Sequence, residues 1–115
     1  MNVNYVKGVR LERKAKQILE AQGYHVIRAA GSHGFADLVA ADDQGVVPVR
    51  FIQVKSAKGK GRPSTPPQCS FPLMPNAYAY TQEIWLWRGR QWYQWILTTL
   101  GEWRCVDEVP SKPLG

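Results

Sequence analysis

The chain has no apolar stretch approaching the roughly 20 residues needed to span a bilayer, and Met1 to Arg13 lacks the apolar core of a signal peptide. A cytoplasmic protein with no membrane association is the expectation. Cysteine is scarce: Cys69 and Cys105 lie far apart, and neither has a second Cys or His at metal-ligand spacing. That speaks against a disulfide framework and against zinc. The turn Gly31-Ser32-His33-Gly34 is not followed by Gly-Lys-Ser/Thr, which excludes a nucleotide-binding P-loop. Acids are also in short supply, 9 against 15 lysines and arginines, for a net charge of +6. An excess of cations favours a polyanionic partner, but it also serves solubility alone, so the distribution decides.

The distribution is uneven. One cluster holds Lys7, Arg10, Arg13, Lys14 and Lys16, and an acid-free one holds Lys55, Lys58, Lys60 and Arg62. The glycines within the second cluster make it read as a mobile basic loop suited to a phosphate backbone. At 115 residues, with 44% hydrophobic and 21% charged, the chain suits a single folded domain with one core.

From Lys7 to Gln22 the apolar positions Leu11, Ala15, Ile18, Leu19 and Ala21 follow helical spacing, and Gly23 supplies the left-handed residue that ends the helix. Tyr24 to Ala30, Phe35 to Ala41 and Val49 to Ser56 read as three strands, separated by the Gly31 to Gly34 break and a hairpin turn at Asp42 to Gly45. The order is αβββ. Ala57 to Pro75 carries five prolines and reads as a long functional loop. Beyond it, Trp-rich strands within 82–106 include a hairpin at Arg88-Gly89-Arg90-Gln91, and a loose tail follows from Asp107. Large aromatics alternating along strands serve packing more often than base stacking, and packing is the expectation here.

Four residues draw together. Glu12 shares the helical row of Ala15, Lys16 and Leu19, so its carboxylate borders the buried face. Asp37 interrupts an apolar strand, where burial costs several kcal/mol unless a metal, a cation or hydrogen bonds offset it. Gln53 and Lys55, two apart on one strand, face the same way. With the hairpin centred near Gly45, antiparallel pairing sets position 37 opposite 53, which brings Asp37, Gln53 and Lys55 into one patch. Carboxylate, amide and backbone oxygens with waters form the environment that Mg²⁺ prefers, and an adjacent lysine adds a cation. The same spacing also suits a plain network in which Asp37 and Lys55 form a cross-strand ion pair.

Three ordered segments carry a resemblance: Lys7-Gly8-Val9-Arg10-Leu11-Glu12-Arg13, Gly31 to Val39, and Ile52-Gln53-Val54-Lys55-Ser56. The stretch resembles the archaeal-type Holliday junction resolvases within the PD-(D/E)XK nuclease superfamily. The resemblance implies an α/β, restriction-endonuclease-like core, a mixed sheet flanked by helices. It implies a Mg²⁺-dependent endodeoxyribonuclease, with Mn²⁺ as substitute, acting on branched DNA as a homodimer. It assigns Glu12 as the helical acid, Ser32 as a hydroxyl near the scissile phosphate, Asp37 as central metal ligand and Lys55 as catalytic lysine, with Gln53 completing a metal set of Glu12, Asp37 and Gln53. Lys7, Arg10, Arg13, Lys58, Lys60 and Arg62 are the expected DNA contacts. The family usually has Glu or Asp where this chain has Gln53, and a helix where it turns proline-rich. Glutamine keeps the oxygen donor at one charge less, a change read as tuning metal affinity. Two other readings stand beside this one: a silent DNA-binding accessory subunit, and an RNA-binding domain using the tryptophans. His33 and His25 are weaker candidates, read as a solvated and a structural histidine.

Overall fold

The computed structural model describes residues 3–29, 36–42, 49–67, 80–98 and 101–106, with side chains of the helix given from Gly8 onward. Ser32, His33, the hairpin turn after Asp42, Cys69 and the tail from Asp107 lie outside the described residues, as does the side chain of Lys7. Helix α1 (Val3–Ala21) precedes six strands: β1 (His25–Arg28), β2 (Leu38–Ala41), β3 (Val49–Ser56), β4 (Tyr80–Arg88), β5 (Gln91–Leu97) and β6 (Trp103–Val106). They form one sheet in chain order. Every neighbouring pair is antiparallel except β3 with β4, which is parallel, so the sheet is mixed. The αβββ opening is as expected.

Helix α1 ends where glycine permits. Gly23 takes φ 98°, its N–H donates to the Glu20 carbonyl, and the Tyr24 N–H donates to the Leu19 carbonyl, the reciprocal pair that closes a helix C-terminus. Leu11, Ala15 and Leu19 line the buried stripe and pack on Leu38, Ala40, Ile52, Trp85 and Trp92. Two details differ from the periodicity. The helix starts at Val3 instead of Lys7, and at its far end Ala21 is exposed while Gln22 is buried. The final turn tightens at the Gly23 cap, where the Gln22 N–H donates to both the Ile18 and Leu19 carbonyls.

The aromatic hairpin is packing, as expected. Trp85, Trp92 and Trp95 are buried, and Trp92 meets Trp85 and Trp87 edge to face at centroid distances of 5.9 and 5.1 Å. Its two-residue turn has positive φ at both Gly89 (59°) and Arg90 (62°), which matches the right-handed strand twist.

Parallel pairing of β3 and β4 aligns Arg50 with Thr81 and Ile52 with Glu83. There Arg50 clasps Glu83 through two bonds of 2.7 Å, Nε to Oε2 and Nη2 to Oε1. Gln94 Nε2 donates to Oε1 at 2.5 Å, Trp85 Nε1 at 3.1 Å, and the Thr81 hydroxyl donates to Oε2. Burial alone would raise the Glu83 pKa, but the hydrogen bonds and charge of Arg50 outweigh it and hold the carboxyl below its usual value. The Arg50 guanidinium also lies over the Tyr24 and Trp85 rings.

Candidate active site

Asp37 sits in a bend just before β2, so the strand begins one residue later than the acid. Its backbone nevertheless joins the sheet: the N–H donates to the Ile52 carbonyl at 2.9 Å, and its carbonyl accepts from Ala29 N–H at 2.9 Å. The register of β2 and β3 pairs Leu38 with Ile52, which continues one step to place 37 opposite 53, as the hairpin arithmetic predicts. The carboxylate is held by a hydrogen bond, 2.8 Å from Val54 N–H to Oδ2. Val54 is the residue between Gln53 and Lys55, so this bond fixes Asp37 against that dipeptide step. No ion pair joins Asp37 to Lys55 among the described residues.

Glu12 approaches from the helix. Burial raises its pKa, the negative charge of Asp37 raises it further, and the hydrogen bond and charge of Arg28 partly offset both. The repulsion between Glu12 and Asp37 is the sign of two carboxylates sharing one region. Arg28 had no signal as a site residue, yet its Nε donates to Glu12 Oε1 at 3.0 Å, with both side chains only about a fifth exposed. Its position on the helix-facing row of β1, two after Val26, was the only sequence clue.

Gln53 is buried and Lys55 half-buried on β3. The residues between and beside them, Ile52 and Val54, pack with the α1 core, so strand alternation puts Gln53 and Lys55 on the far side of the sheet. Asp37 is thus the link between helix and strand: its charge acts on Glu12 and its carboxylate bonds the Gln53-Lys55 step, while Gln53 itself lies on the face away from the helix. A groove of about 300 Å³ lined by Gly8, Leu11, Val54, Lys55 and Lys58 opens beside this end. Among the described residues no three His, Cys, Asp or Glu side chains cluster. Position 53 carries an amide and adds no third acid. The donor chemistry of two carboxylates and an amide oxygen still fits a hard divalent cation.

Of the expected DNA contacts, Arg10, Arg13, Lys58, Lys60 and Arg62 are all exposed. The basic loop is not the free segment that its glycines suggest. Ala57 N–H donates to the Trp87 carbonyl at 3.0 Å, and Arg88 lies against Gly59 closely enough that an added Cβ would come within 2.7 Å of its Nη2. The loop is fastened to the β4–β5 turn, with glycine admitting the contact.

An N-terminal helix bearing an acid over a mixed sheet, with Asp37 immediately before β2 and Lys55 on the adjacent β3, defines an α/β fold of the restriction-endonuclease-like class. Residues 3–62 match the family model described as archaeal Holliday junction resolvase (Hjc), more than half of the chain. The protein belongs to that family. A comparison with curated proteins gives no match. Family membership makes this a resolvase-like nuclease at the family level, and among the described residues no helix is long and apolar enough to cross a membrane.

Proposed function

We propose that the protein is a divalent-metal-dependent DNA endonuclease that cleaves branched DNA, four-way junctions above all, acting as a homodimer with Mg²⁺ as the ion and Mn²⁺ as substitute. The observation that carries the reading is the Asp37 carboxylate, held by Val54 N–H between Gln53 and Lys55 and electrostatically coupled to Glu12, in a chain of the resolvase family. Glu12, Asp37 and Gln53 would hold the ion, which when bound polarises a phosphate and lowers the pKa of an attacking water. Lys55 orients that water and offsets negative charge that develops on the phosphate. Ser32 would bond a phosphate oxygen near the scissile bond. Arg10, Arg13, Lys58, Lys60 and Arg62, with Lys7, hold the backbone and fix the register of the DNA. A second copy presents a second site to the opposing strand, and a DNA substrate fits a cytoplasmic protein.

A second reading has an observation in its favour. With Gln53 in place of an acid and Glu12 engaged by Arg28, the chain would suit a DNA-binding accessory subunit without cleavage. Labelled four-way junction and matched linear duplex, incubated with Mg²⁺, Mn²⁺ or EDTA, separate the two. Paired metal-dependent nicks in the junction are the expected result, whereas tight binding without cutting under either metal would leave the accessory subunit.

The amide gives a second expectation. Gln53→Glu restores a third carboxylate, so Mn²⁺ titration should show affinity increased by roughly tenfold, the range over which single site groups tune metal binding. Unchanged affinity would remove Gln53 from the metal set.

A further inference from the structure

The two segments that meet at Gly59 and Gly89 are basic where they meet, with Arg88 half-buried and Lys58, Lys60, Arg62 and Arg90 exposed. Residues 54–67 and 84–98 contain no Asp or Glu, and they carry Lys58, Lys60 and Arg62 on one side of the contact, Arg88 and Arg90 on the other. Gly59 (φ 112°) and Gly89 (φ 59°) both have conformations that L side chains rarely adopt. A Cβ on Gly89 would stand 3.1 Å from the Gly59 carbonyl oxygen and from Lys60 Cα. Lys14 of α1 joins from a third element, its Nζ 5.0 Å from the centre of the Trp87 ring.

None of Lys58, Lys60, Arg88 and Arg90 is in an ion pair among the described residues. Holding like charges side by side is unfavourable even in water. Two glycines in restricted backbone geometry nevertheless hold them together. Cations kept only for solubility need no such clasp. A polyanion with regularly spaced charges reverses the sign of the cost, because each phosphate neutralised releases condensed counterions. The ridge also begins immediately after Lys55 and borders the groove that Lys55 and Lys58 line.

We propose that the loop at Lys58–Arg62 and the β4–β5 turn form one composite ridge that binds the DNA backbone of a duplex arm and leads it to Lys55, with Arg88 and Arg90 as hairpin-borne phosphate contacts. The proposal rests on the reading of the protein as a DNA nuclease, and it adds the tryptophan-rich hairpin to the substrate-binding surface. The hairpin thus buries its aromatics for the core and presents its turn to DNA.

The test is binding of labelled four-way junction and duplex in EDTA over a series of salt concentrations, with thermal melting of each variant alongside. Arg90→Asn keeps a residue that tolerates positive φ and removes one charge. It should lower the magnitude of the slope of log K against log salt by about 0.9 and weaken binding several-fold at low salt. Gly59→Ala removes no charge, and it should also weaken binding because the Cβ displaces Arg88 and separates the two halves. Arg90→Lys keeps the charge and should leave the slope unaltered. Wild-type slopes in Arg90→Asn, an equal fall in Arg90→Lys, or wild-type affinity in a folded Gly59→Ala would overturn the ridge. If the wild type itself binds neither DNA, the nuclease reading falls and the ridge with it.

Discussion

Asp37→Asn should lower junction cleavage by about 10²-fold or more while leaving junction affinity in EDTA within a few-fold of wild type. Asparagine preserves the shape and can still accept the 2.8 Å hydrogen bond from Val54 N–H, so the strand end keeps its form. What is lost is the charge that faces Glu12 and that would meet the cation. Lys55→Met should match it in rate, because methionine keeps the length of the stem and loses the ammonium. The measurement is single-turnover cleavage at saturating Mg²⁺, repeated at tenfold higher metal. Partial recovery of Asp37→Asn at high metal, with none for Lys55→Met, separates a ligand from a group acting on the water. Cleavage at the wild-type rate in both variants would place the chemistry elsewhere in the chain.

The second large effect is on stability. Glu83→Leu leaves the Arg50 guanidinium buried without its carboxylate partner, and breaking such a pair costs about 3–5 kcal/mol. For a domain of this size that corresponds to a fall in melting temperature on the order of 10–20 °C. Arg50→Met combined with Glu83→Leu should recover most of the loss, since apolar residues replacing both partners leave no unpaired charge. Failure of the double variant to exceed the single would show that Thr81, Trp85 and Gln94, which also bond Glu83, dominate the network. The pair also sets a pH dependence. The folded-state pKa of Glu83 is depressed from the usual 4.5, so its contribution is fully present above the unfolded value and fades as pH falls through the folded one. Acid unfolding monitored below pH 4.5 should therefore be shallower in the double variant than in the wild type. Glu12 has the opposite sign, its pKa being raised, and its contribution fades as pH rises.

Much of this was legible in residue spacing. The Leu11, Ala15, Leu19 row announced the helix and its buried stripe, and Gly23 announced its end. The hairpin centred near Gly45 set position 37 opposite 53, and the observed pairing of Leu38 with Ile52 obeys the same arithmetic. Local geometry sufficed because helix and hairpin bring together residues close in the chain. The strand boundaries were less legible: Asp37 lies outside β2, since its side chain turns to accept the Val54 N–H instead of standing clear of the sheet.

The sequence by itself determined the elements, their order, the facing of Gln53 with Lys55 and the family to which the chain belongs. Only the tertiary structure decided that Arg28 engages Glu12, that Arg50 pairs with Glu83, and that the basic loop is clasped to the hairpin turn. Each of those contacts joins residues from 16 to 33 positions apart or segments separated by the connection between parallel strands. Pattern within one helix or hairpin is imposed by the 3.6 and 2 residue periods of the backbone. Register across a parallel crossover has no such local rule, and it is set by burying Glu83 where Arg50 can reach it and by glycines that let two backbones meet.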